Sequence, residues 1–126
     1  MGKIVVKHND NGGVNFRVVA GNGEIVGVSE TYSSDKACEN GIESVRKNAI
    51  EANIEDQTKE GYEVQKNPKW ELYKDKKGEF RFRLKARNGE IILVGEGYVS
   101  KAGCKNGIDS IKRNVPDAPV VVKDDE

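Results

Sequence analysis

Residues 3–49 and 69–115 of this chain are one sequence written twice. Shifted by 66 positions, the first stretch lies on the second without a gap, and 19 of 47 aligned positions are identical. Lys3 falls on Lys69, Phe16-Arg17 on Phe82-Arg83, and Asn22-Gly23-Glu24-Ile25 on Asn88-Gly89-Glu90-Ile91. Asn40-Gly41-Ile42 falls on Asn106-Gly107-Ile108. A fixed internal period means one supersecondary unit built twice, and a unit of about 50 residues buries too little surface to be secure alone. The 126 residues fit one domain. The expectation is a single pseudo-twofold domain over residues 1–126, with repeat one at 3–58, a connector at 59–67 and repeat two at 68–124.

The second copy reads most clearly. From Glu79 to Arg87 the chain alternates, with Phe80, Phe82, Leu84 and Ala86 on one face and Arg81, Arg83, Lys85 and Arg87 on the other. That is the period of a strand with one buried and one wet side. Asn88-Gly89 follows as a hairpin turn, read as type I′, and Ile91 to Val94 supplies the partner strand. Trp70 to Tyr73 alternates as the preceding strand, turned by Asp75 to Gly78. Copy one repeats this meander at Ile4 to Lys7, Val14 to Ala20 and Glu24 to Glu30.

A helix follows each meander. Ser34 and Ser100 are natural N-caps. Ala37, Cys38, Gly41, Ile42, Val45 and Ala49 recur on one helical face, mirrored by Cys104, Gly107, Ile108, Ile111 and Val115. A glycine inside a helix costs roughly 1 kcal/mol against alanine, so its presence in both copies implies a close approach with no room for a methyl. The short tails Ala52 to Asp56 and Ala118 to Val122 stand at equivalent places and read as fourth strands. The expected fold is α+β: two tandem β-β-β-α-β repeats in one antiparallel sheet, both helices on one face, the C-terminal strands exchanged between repeats.

The run Gly78 to Ala86, then Asn88-Gly89, Glu96-x-Tyr98 and Asn106-Gly107-Ile108-x-Ser110-Ile111-Lys112-Arg113-Asn114 resembles the YegP-like family of DUF1508 repeat proteins. The resemblance covers both copies and implies three strands and a helix per unit, paired in tandem or as two subunits, with exchanged C-terminal strands. Copy one departs from the pattern at Val14-Asn15 and Gly21, where the basic alternation weakens. The resemblance implies no catalytic residues.

Formal charge is zero but unevenly spread, −3 over residues 1–66 (8 basic, 11 acidic) and +3 over residues 67–126 (13 basic, 10 acidic). No apolar run is long enough for a membrane span, and two cysteines make no disulfide framework, so the cytoplasm is the expected compartment. No metal and no cofactor is expected: there is one histidine, no Cys-x-x-Cys, no nucleophile elbow and no phosphate-cradling loop. Cys38 and Cys104 read as small buried hydrophobes.

Two constellations are candidates for a site. Arg81, Arg83, Lys85 and Arg87, with Tyr73 beside them and Arg17 in copy one, could offer phosphate contacts and a stacking platform to a nucleic acid. The competing reading is a solvated face balanced by Glu71, Glu90 and Glu96. The duplicated junctions Glu30-x-Tyr32 and Glu96-x-Tyr98, near Asn40 and Asn106, could form two equivalent small-ligand or catalytic pockets, or serve only the fold. The functional expectation is a small non-enzymatic interaction module, monomer or homodimer, whose open sheet face meets a protein or nucleic acid and no membrane.

Overall fold

The alternation in each copy becomes a meander, and the duplication becomes one sheet. The computed structural model describes residues 2–123. Repeat one gives β1 (Lys3–His8), β2 (Val14–Val19), β3 (Ile25–Val28), α1 (Asp35–Glu51) and β4 (Asn53–Asp56). Repeat two gives β5 (Lys69–Lys74), β6 (Phe80–Lys85), β7 (Ile91–Val94), α2 (Lys101–Asn114), a 3-10 turn (Val115–Asp117) and β8 (Val120–Val122). Residue 124, the expected end of repeat two, lies outside the described residues.

The strand order is β4-β5-β6-β7-β3-β2-β1-β8. The exchange is therefore present at both edges: β4 of repeat one lies on β5 of repeat two, and β8 lies on β1. These two edge pairings are parallel, so the sheet is mixed and not wholly antiparallel. The reason is the path of the helices. α1 leaves β3 and touches β5, β6 and β7 of the other repeat, running across their strands. Its 17 residues span about 25 Å, enough to pass the roughly 19 Å of four strand spacings. The strand that follows emerges at the far edge, beside the other copy's first strand and pointing the same way.

The Asn-Gly hairpins differ in detail from a type I′ turn. Only the glycines take positive φ, +88° at Gly23 and +85° at Gly89. Gly23 N–H donates to Ala20 O, and the register slips at Val18/Val19 and at Leu84/Lys85. Each is a type I turn closed by a left-handed glycine and a bulge. Asn22 and Asn88 stabilise the turn by accepting the N–H of Glu24 and Glu90, each at 3.0 Å.

One core lies between the helices and the sheet. Phe16, Trp70, Phe82, Leu84, Val45 and Ile108 are among its fully buried side chains. Ser34 and Ser100 cap the helices by accepting the N–H of Ala37 and Gly103. The helix ends lean on the opposite repeat. Trp70 Nε1–H donates to Ala49 O at 3.1 Å, and the Arg46 guanidinium donates to Val115 O at 2.6 Å and Ala118 O at 3.0 Å. These bonds satisfy carbonyls that a helix terminus leaves orphaned.

The helical glycines admit a tyrosine ring. A methyl built on Gly41 would overlap the Tyr32 phenol, and one on Gly107 would overlap the Tyr98 phenol and crowd Phe82. Each tyrosine also pairs its backbone with the sheet, Tyr32 with Val14 and Tyr98 with Phe80. At the dyad, where β3 meets β7, the two copies differ. A methyl on Gly27 would press on Leu93 at 2.9 Å, so the glycine of one copy makes room for the leucine at the equivalent position of the other.

Residues 1–66 expressed alone should give an unfolded chain or an associated dimer in light scattering; a stable folded monomer contradicts the shared core. Gly41→Ala should destabilise by about 1–2 kcal/mol in urea unfolding, overpacking outweighing the gain in helix propensity. Tyr32→Phe should be neutral or stabilising, because the Tyr32 hydroxyl is buried without a partner among the described residues, and in that background the Gly41→Ala penalty should shrink.

Candidate interaction surface on the open sheet face

Helices cover one face of the sheet, and the candidate cations lie on the other. Register places Tyr73, Glu71 and Lys69 of β5 opposite Arg81, Arg83 and Lys85 of β6. Glu55 of β4, Arg17 of β2, Val5 of β1 and Val121 of β8 share this face.

The basic row does not stand free. Arg81 Nε meets Asp75 at 2.7 Å, Arg83 Nε meets Glu71 at 2.6 Å, Lys85 Nζ meets Glu71 at 3.3 Å, and Arg87 meets Glu51 at 2.8 Å. Glu71 is a balancing carboxylate, as the competing reading held. Asp75 and Glu51 take the other places instead of Glu90 and Glu96, which are exposed. Tyr73 lies beside the row with the Arg83 guanidinium 4.6 Å from its ring centroid.

A strap explains why these charges are buried. The connector, residues 57–68, returns from β4 to β5 over the open face, and its Gln65 N–H donates to Glu55 Oε1 at 2.7 Å. Glu55 also accepts from Lys69 Nζ at 2.8 Å and Gln57 Nε2 at 2.7 Å. Burial pushes the Glu55 carboxyl up, but the hydrogen bonds from Lys69, Gln57 and Gln65 outweigh it and hold the pKa at about 2. Glu71 is balanced in the same way: burial raises it, and Arg83 and Lys85 bring it below the carboxylate range.

Repeat one carries none of this. The counterparts of Glu55, Glu71 and Lys85 are Val121, Val5 and Val19. Arg17, counterpart of Arg83, has no ion pair among the described residues. No described loop crosses this half of the face. A band of apolar side chains runs from it over the dyad: Ile25 is 40 % exposed, Ile91 39 % and Val94 39 %.

The Glu-x-Tyr junctions do not assemble a common pocket. Glu30, Glu96, Asn40 and Asn106 are exposed, while Tyr32 and Tyr98 are half-buried, stacked on Phe16 and Phe82. Asn40 lines a cleft of about 400 Å³ with Arg87 and Asn88, whereas Tyr32 lines another of about 360 Å³ against the Asn11–Gly13 turn. Burial, then Glu30, pushes the Tyr32 phenol up to about 12, away from acid–base duty near neutrality. Both cysteines are free and buried, and burial raises the Cys38 thiol and brings Cys104 up to about 11. Thiols so shifted are poor nucleophiles. Among the described residues no three metal-ligating side chains gather, and no helix is long and apolar enough to cross a membrane.

Sequence reasoning missed the contact of His8 Nε2 with Asp35 Oδ1 at 2.6 Å, as it missed those of Lys69 with Glu55 and Lys101 with Asp56. His8 and Asp35 are 27 residues apart, and their counterparts in repeat two are both lysine, Lys74 and Lys101, so no repeated signal marked them.

Glu55 sets an acid limb of stability. Its folded pKa lies below the unfolded value near 4.3, so its contribution is complete above about pH 5 and lost as pH falls toward 2. The shift corresponds to on the order of 3 kcal/mol. Glu55→Gln should lower stability at pH 7 and flatten its fall between pH 5 and 2 in urea titrations; an unchanged acid limb would remove Glu55 as its carrier.

The comparisons with known proteins agree on kinship. The family model described as "Domain of unknown function (DUF1508)" matches twice, over residues 9–56 and 75–121. The UPF0339 protein YegP of Yersinia pestis is 39 % identical over 114 residues, 90 % of this chain and 88 % of that one. A UPF0339 protein of Pseudomonas aeruginosa is 34 % identical over 116 residues, 92 % of each. A shorter UPF0339 protein of Treponema denticola is 66 % identical over 53 residues, 42 % of this chain but 91 % of its own. The solution structure of yegP from E. coli, a protein of unknown function, superposes with a TM-score of 0.79 at 28 % identity over 99 % of this chain and 95 % of its own. That of a UPF0339 protein from Shewanella oneidensis gives 0.79 at 29 % identity, over 98 % and 92 %. With both repeats matched and close relatives spanning nearly its full length, the chain belongs to the UPF0339 family of DUF1508 proteins.

Proposed function

We propose that this chain is a non-enzymatic interaction module that presents the dyad part of its open sheet face, with Arg17 beside it, to a protein partner. The observation that carries the reading is the contrast between the halves of that face. Over repeat two, a strap and a paired charge network close the surface. At the dyad, Ile25 of repeat one and Ile91 and Val94 of repeat two stand out from the sheet beside Arg17, while Val5 and Val19 of repeat one are buried. Apolar surface with one uncompensated cation suits a protein contact with an acidic rim.

A polyanion is a weaker fit. The four cations of the basic row already hold carboxylates at 2.6 to 3.3 Å, so phosphates would have to displace them. Oligonucleotide anisotropy titrations should stay flat at physiological salt. A photo-crosslinking residue at Ile25 or Val94 should yield a discrete protein adduct in cells, whereas one at Val99, 92 % exposed at the β7–α2 junction, should not. Salt-sensitive oligonucleotide binding abolished by reversing Arg81, Arg83 and Lys85, or no adduct at either open-face position, overturns the proposal.

A further inference from the structure

Duplication lets one repeat serve as a template for the other. On the open face of repeat two, Lys69 Nζ meets Glu55 at 2.8 Å and Glu71 at 3.4 Å, and Arg83 Nε meets Glu71 at 2.6 Å. The Glu71 carboxylate thus sits between a lysine of its own strand and an arginine of the next. In repeat one both cations are present, as Lys3 and Arg17, but the positions of Glu71 and Glu55 hold Val5 and Val121. The counterpart of Tyr73 is a third cation, Lys7.

β1 and β2 bring these three cations together. The register sets Arg17 opposite Val5, Lys3 opposite Val19 and Lys7 opposite Asn15. Lys3 and Lys7 are therefore the diagonal neighbours of Arg17, about 7–8 Å from it. Lys3 is exposed, Lys7 and Arg17 are half-buried, and none of the three has an ion pair among the described residues. No acid stands at the open-face positions of these strands. Val5 and Val19 are the floor between the cations, buried yet outside the core cluster under the helices. Beyond Arg17 the register continues through Val28 to Val94, where the apolar band of the dyad begins. The surface is thus single-signed on one side and apolar on the other.

We propose that Lys3, Lys7 and Arg17 form a docking site for an acidic segment of a partner protein, whose carboxylate lies over Val5 and takes the place that Glu71 holds in repeat two. The inference rests on the protein-partner reading above and deepens it by naming the partner's chemistry. Apolar side chains next to the partner's acids continue onto Val94 and Ile25. Opposite charge brought to three like charges relieves their mutual repulsion and fixes the register of docking. Nucleic acid is the poorer occupant. No aromatic ring stands at the open-face positions of β1 and β2 for a base to stack on, and the apolar band beside them offers a phosphate backbone nothing.

The test uses the whole chain and a fluorescein-labelled peptide, Glu-Ser-Glu-Ser-Leu-Ser-Leu-Ser, which when extended shows its acids and leucines on one side. It should bind saturably, more weakly as salt rises, with NMR shift changes centred on residues 3–7, 15–19 and 25–28. Peptides with lysine for glutamate, or serine for leucine, should bind less. Lys3→Glu with Arg17→Glu should weaken binding about tenfold. Val5→Glu, which supplies the internal carboxylate of repeat two, should close the site and weaken binding to a similar degree. Flat anisotropy to about 1 mM protein, equal binding of the lysine peptide, or indifference to both variants overturns the proposal. So does an oligonucleotide, or a second copy of the chain, found on residues 3–7 and 15–19. A cellular crosslink at Ile25 that persists undiminished in the Lys3→Glu, Arg17→Glu variant overturns this inference alone and leaves the protein-partner reading standing.

Discussion

Everything in this structure depends on each repeat ending inside the other. A meander of three strands and one helix leaves an edge unpaired and one helix face uncovered. Here the helix crosses the neighbour's strands and delivers a fourth strand to the neighbour's edge. That one path makes the edges parallel, fuses two half-cores into one, and places each helix terminus against groups of the other copy. Arg46 on the carbonyls after α2 and Trp70 on the last turn of α1 are the polar side of the same interlock.

Within that symmetric frame the faces have drifted apart. Repeat two carries an ion network on its open face, with Glu55, Lys69 and Glu71 nearly removed from water. Buried charges are tolerated only when paired and fully hydrogen-bonded, and the strap completes the set with the Gln65 N–H. Repeat one's half has valines where the carboxylates stand, Val121 and Val5, and has no described strap. The same fold therefore carries a charged, strapped half of the open face and a half of valines without a described strap.

The architecture was legible because duplication doubled every signal: two alternating strands, two Asn-Gly turns, two serine caps, two helical glycines. The glycines even announced the close approach, though not that a tyrosine ring fills it. What escaped was geometry that no spacing encodes. The turn type depended on φ at Asn22 and Asn88, where a non-glycine residue stays at negative φ. The parallel edges depended on the heading of the helices. The partners of the basic row were misassigned in part, since the turn after β5 and the end of α1 bring Asp75 and Glu51 within reach while Glu90 and Glu96 are exposed. The strap left no trace because residues 57–68 have no counterpart in the repeated stretch. His8 and Asp35 meet in one copy alone, where comparing the copies is silent.

Gly27 and Leu93 stand at equivalent positions on either side of the dyad, one hollow and one full. Two copies of repeat one would set glycine against glycine there and leave a void; two copies of repeat two would set leucine against leucine in space built for one. The halves have become lock and key to each other. Pairing between like halves would therefore carry a penalty at the axis, a cavity in one case and crowding in the other, that the pairing of unlike halves does not.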